Sequence, residues 1–115
     1  MKPENQNTPE KVCQRFFDSW VVRDWTMMVS CVQKTWLDGK ENPAEVLEGL
    51  FGKTDGTGLR IIGTEYVSAV MADIVIQATT GGIKIRAICE TGVRKPSING
   101  TWGINPISFR EDKQS

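Results

Sequence analysis

Asp38, Tyr66 and Cys89 are the side chains whose types and settings come nearest to chemistry in this chain. Asp38 lies in "TWLDGK", where a carboxylate in a dry pocket could act as a general base. The glycine after it equally fits a polar turn, in which aspartate bonds its local backbone. Tyr66, in "GTEYVSAV", offers a phenol to a carbonyl or phenolic ligand, or simply fills a half-buried strand position. Cys89 would need a neighbouring histidine, a cationic surround or a helix N-terminus to become a nucleophile. The sequence has no histidine, and Cys89 shares its phase with Ile83, Ile85 and Ala87, which reads as a buried thiol.

Trp36 and Trp102, near the ends of their elements, and Phe16 are candidates for the wall of an apolar pocket with Tyr66 and Cys89. Trp20 belongs by helical phase to the core. Asp73 and Arg86 form a further candidate pair. Counting outward from a turn at Gly81-Gly82 places them out of direct register, leaving a diagonal contact or one through a neighbouring strand.

Composition narrows the function classes. Fourteen lysines and arginines balance fourteen aspartates and glutamates, so no net field steers the chain toward nucleic acid or an anionic membrane. The same balance leaves little repulsion between copies, which favours self-association. Three separated cysteines without C-x-x-C spacing argue against a disulfide framework or zinc knuckle, although an oxidising compartment would allow one pair. The expectation is no cofactor and no metal. No apolar run is long enough to span a bilayer, and "MKPENQNTPE" lacks the apolar stretch of a signal peptide. A cytoplasmic location is the default expectation, with an exported domain whose signal lies outside this chain as its alternative.

The elements that must position these residues are legible as helices followed by strands. Thr8-Pro9 is a helix start, and Val12, Cys13, Phe16, Phe17, Trp20 and Val21 make one broad apolar face. Asp24 opens a second helix carrying Trp25, Met28, Val32 and Trp36. Asn42, Pro43 and Glu45 resemble a capping box for a third, ending at Gly52. After Gly58 the pattern alternates, as expected of an antiparallel meander through "LRIIGTEYVSAV", "MADIVIQATT", "IKIRAICETG" and "TWGINPISFRE". Pro106 in the last run predicts an edge or a bulge that keeps Trp102, Ile104, Ile107 and Phe109 on one apolar layer. Asn99-Gly100-Thr101 fits a glycosylation sequon and, independently, a turn. The expected organisation is a flexible lead over 1–8, one domain over 9–111 and a flexible tail over 112–115. With 115 residues, such a chain buries roughly 65% of its extended surface, enough for one core.

This layout resembles the nuclear transport factor 2-like superfamily, a cystatin-like α+β fold that includes ketosteroid isomerases and SnoaL-like polyketide cyclases. The likeness rests on the first helix "PEKVCQRFFDSWVVRDW", the Asp24-Trp25 start, "TWLDG", the small third helix and the closing "GTWGINPISF". It implies three N-terminal helices packed on a strongly curved, mostly antiparallel sheet, cone-shaped with a pocket at the open end. It also implies a homodimer formed through the sheet. An isomerase of that type would carry a tyrosine where Phe16 stands, a base near Asp38 and a protonated aspartate on the strand holding Ala87 and Cys89. Only the base has a counterpart, and a lone carboxylate leaves enolate charge unstabilised. The expected function is therefore a noncatalytic domain binding a small apolar molecule or a protein partner. The alternative is a cofactor-independent isomerase, lyase or cyclase with Asp38 as base, assisted by Tyr66.

Overall fold

The computed structural model describes residues 8–79, 81–90 and 101–111, with the side chains of 89, 90, 101 and 111 left aside. Most of the expected lead, the tail, the "RKPSING" turn and Asn99 lie outside the described residues. Helix α1 (Pro9–Val22) begins as its sequence dictates: the Thr8 hydroxyl accepts from the Lys11 amide and Pro9 occupies the first turn. It ends at Arg23 in the left-handed region, φ 60°, whose amide returns to the Ser19 and Trp20 carbonyls. Asp24 caps α2 (Trp25–Val29) through the Met27 amide.

The expected second helix is in fact two. The Ser30 hydroxyl donates to the Met27 carbonyl, and the chain then leaves the helical path. The Ile104 amide donates to the Cys31 carbonyl and the Gln33 amide to the Ile104 carbonyl, so a sheet edge claims this backbone. A one-turn α3 (Lys34–Leu37) follows. Helix α4 (Pro43–Phe51) starts with Pro43 in its first turn, but the Asn42 side chain makes no capping bond.

Strands β1 (Arg60–Ser68), β2 (Met71–Ala78), β3 (Gly81–Glu90) and β4 (Thr101–Ile104) form an antiparallel sheet in that order. A two-residue β5 (Arg110–Glu111) lies beside β4 on the same flank of β3. The closing run is thus one edge split around Pro106. Asn105 to Phe109 arches away, and its Asn105 amide and Ser108 Oγ serve the Arg86 carbonyl and amide. Ile104 is buried and Trp102 and Phe109 pack on the core, whereas Ile107 is 65% exposed. The single apolar layer expected for these four residues therefore holds for three.

The expected cone is not formed. The sheet is neither closed nor strongly curled, and the description as a nuclear transport factor 2-like, SnoaL-like or cystatin-like cone is corrected accordingly. The reason lies in the ladder. β2 and β3 pair through eight successive residues, Met71 with Ile88 to Ala78 with Gly81, without a shift. Bending a sheet that far requires bulges in its central strands, and the register shifts here are confined to β1.

The core lies between α1 and the inner sheet face. Val12, Cys13, Phe16, Phe17 and Trp20 meet Ile74, Ile76, Ile85, Ala87 and Ile104, with Met28, Leu47 and Phe51 closing one end. Phe16, Phe17, Trp20, Phe51 and Phe109 form a continuous set of ring contacts, at centroid separations of 4.8–6.4 Å. The Trp20 indole N–H donates to the Phe51 and Thr54 carbonyls, so the ring is anchored as well as packed.

Candidate functional site

The β2–β3 hairpin fixes the first polar cluster. Ala78 pairs with Gly81 and Gln77 with Gly82, so these two glycines belong to the strand and are not the turn. Gly81 has φ 134°, a conformation that side chains rarely adopt. Asp73 is then directly opposite Arg86 on the outer face, correcting the expected offset. The expected turn would set Asp73 opposite residue 90, four positions from Arg86, and an even shift keeps every side chain on its own face, so alternation alone does not distinguish the two registers.

Arg86 Nε donates to Asp73 Oδ1 at 2.6 Å and Nη2 to Oδ2 at 3.3 Å, while Arg110 Nη2 from β5 reaches Oδ2 at 2.8 Å. Asp73 is only 6% exposed although no described helix covers this face. Burial pushes its carboxyl up, but hydrogen bonds and charge from Arg86 and Arg110 prevail and hold it below the ordinary range. A carboxylate so engaged is a poor proton acceptor; the cluster ties β5 to the hairpin. Lys84 and Glu65 add a pair at 2.9 Å. Val75 and Ile88 are half-buried beside these charges. Sequence reading named Asp73 and Arg86 but missed Arg110, whose only signal was its alternation phase after Pro106.

The other candidates separate. Asp38 is exposed, at the C-terminal cap of α3 and before Gly39, whose φ of 83° makes the turn. Phe16 is fully buried in the core. Trp36 is half-buried, with the Lys40 ammonium 4.1 Å from its ring centroid. Tyr66 and Trp102 do meet: their rings stand edge to face at 6.1 Å, reaching toward each other over the buried Ala72 and Ala87. What burial Tyr66 has, together with the Glu10 carboxylate, pushes its phenol up, so it remains a donor. Cys89 pairs with Trp102 through its backbone, and its side chain lies outside the described residues. Cys13 and Cys31 are free and buried, and burial pushes both thiols up, as expected of inert cysteines.

Two open clefts, of about 470 and 500 Å³, are lined respectively by Gly58 to Arg60 with Gln77 to Thr79, and by Val22 to Thr26 with Ala44, Glu45 and Glu48. Neither contains a predicted ligand-binding residue. Among the described residues no group of three potential metal ligands occurs, and no helix is long and apolar enough to cross a membrane.

The remaining feature is the sheet's free edge. β1 has β2 on one side and no described strand on the other. Its two register shifts fall at Ile62 and Val67, which are 55% and 56% exposed; Tyr66 is 59% exposed and Val70, in the following turn, is also exposed. A nine-residue edge with an apolar fringe, its outer backbone groups paired to no described strand, is a template for another strand. Searches against family models, curated proteins and solved structures found no match to this chain.

Proposed function

We propose that this chain is a noncatalytic interaction domain that associates with its own kind through the sheet. The observation that carries this reading is the free edge of β1, long, uncovered by any described strand and fringed by Ile62, Tyr66 and Val67. Edge pairing satisfies backbone groups and buries those side chains in one step. The zero net charge opposes it little.

Two facts favour this reading over the Asp38 enzyme. Asp38 and Tyr66 are both exposed, so neither has the desolvated setting that tunes a general base or strengthens a donor. Among the expected ligand-binding residues with described side chains, Phe16 is buried in the core, and Trp36, Tyr66 and Trp102 line neither cleft. A small-molecule role retains only the Tyr66–Trp102 contact in its support.

Sedimentation velocity tests the proposal. At concentrations of about 1–100 μM, spanning a modest association constant, the wild-type chain is expected to sediment heavier than its 12.8 kDa monomer mass. Val67→Lys, placing a charge on the edge, is expected to return it toward the monomer. A wild-type chain that stays monomeric throughout removes the proposal.

A further inference from the structure

We infer that the association is a closed, two-fold dimer in which β1 pairs antiparallel with β1 of a second copy about Gly63, setting Arg60 opposite the partner's Glu65; this rests on the β1 contact proposed above. Arg60 and Glu65 are the strand's only charged residues. Five positions apart in a regular strand, they would point to opposite faces. The shift at Ile62 changes that: Arg60, Gly63 and Glu65 oppose Gln77, Val75 and Asp73 on β2, all on the outer face.

Residues directly opposite each other in an antiparallel pair share a face. An axis through Gly63 meets this condition at every step. It sets Gly63 against Gly63, Ile61 against Thr64 on the inner face, and Arg60 against Glu65 twice. Nothing lies within 4 Å of where a Gly63 side chain would begin, so the outer side at the axis is open. Glu65 keeps 56% of its side chain exposed despite its bond to Lys84, and Arg60 is exposed. Both can reach a second partner. The exposed Ile62 side chains flank the axis.

The opposite flank explains closure at two copies. The backbone from Cys31 to Gln33 occupies β4 at Ile104, the Asn105–Phe109 arch interrupts the edge, and β5 has two residues. A β1 edge therefore finds its match in another β1, which gives a self-complementary contact and not an open chain of copies.

The test exchanges charges. Arg60→Glu and Glu65→Arg are prepared singly, their folding checked by circular dichroism. Alone, each sets like charges opposite each other twice and is expected to dimerise at least about tenfold more weakly than wild type. Mixed in equal amounts, they restore both opposite-charge contacts, and a heterodimer of near wild-type affinity is expected by sedimentation and native mass spectrometry. If wild type dimerises but the single variants do so equally well, or the mixture stays monomeric, this register is overturned while association through the sheet survives. A monomeric wild type overturns both.

Discussion

Asp73 shows how a residue with a candidate's profile becomes a structural tie. It lies on the outer face, yet Arg86 and Arg110 close over it and occupy both of its oxygens. Replacing it with asparagine removes a charge-assisted pair from two guanidiniums, so Asp73→Asn is expected to destabilise the chain by about 1–3 kcal/mol at pH 7. The pH dependence has a definite sign. The folded carboxyl titrates below its ordinary value of 3.8, so its contribution is fully present above that value and is lost as pH falls through the folded one. Urea unfolding at neutral pH and near pH 2.5 should therefore show wild type and Asp73→Asn converging in acid; an undiminished gap would assign the loss to packing. The sequence made Asp73 and Arg86 visible as polar residues on a sheet face. Their partnership depended on whether the turn began at residue 79 or 81, a choice that hydrophobic alternation leaves open.

At the level of elements, starts were more legible than joins. Thr8, Asp24 and Pro43 mark helix beginnings because capping chemistry is local. The break between α2 and α3 was not legible, because its cause is a strand far downstream in the chain, whose Ile104 binds the backbone at Cys31 and Gln33. Gly103 permits that approach. A Cβ there would lie 2.5 Å from Gln33 Cα and 2.6 Å from its nitrogen, both backbone atoms that cannot swing aside. Gly103→Ala is expected to cost about 1–3 kcal/mol or more, as forced overpacking does. Hydrogen exchange should show the Ile104 and Gln33 amides losing protection ahead of β2 and β3. Gly49→Ala, in open space on α4 and away from the β1 edge, serves as the control for loss of a glycine; retained protection at Gln33 in Gly103→Ala would count against this docking.

For the whole molecule, the order of helices then sheet followed from the change in apolar period near Gly58, and the single aromatic core from the Phe16, Phe17 and Trp20 face. Overall curvature did not follow, because it depends on where extra residues enter the ladder. Here they enter β1 alone, at Ile62 and Val67. That placement leaves the sheet open and sends two apolar side chains outward along a long edge that no described strand pairs. The same detail that corrects the cone thus supplies the contact surface.

The contact between Tyr66 and Trp102 has an optical consequence. Tyr66 is the only tyrosine, and its ring centroid stands 6.1 Å from that of Trp102, a separation at which excitation passes readily from phenol to indole. The native chain should therefore show almost no tyrosine emission, and Trp102→Phe should recover part of it without unfolding. Tyrosine light would then report the parting of the first and fourth strands, a colour signal in which this touching pair of rings takes the leading part.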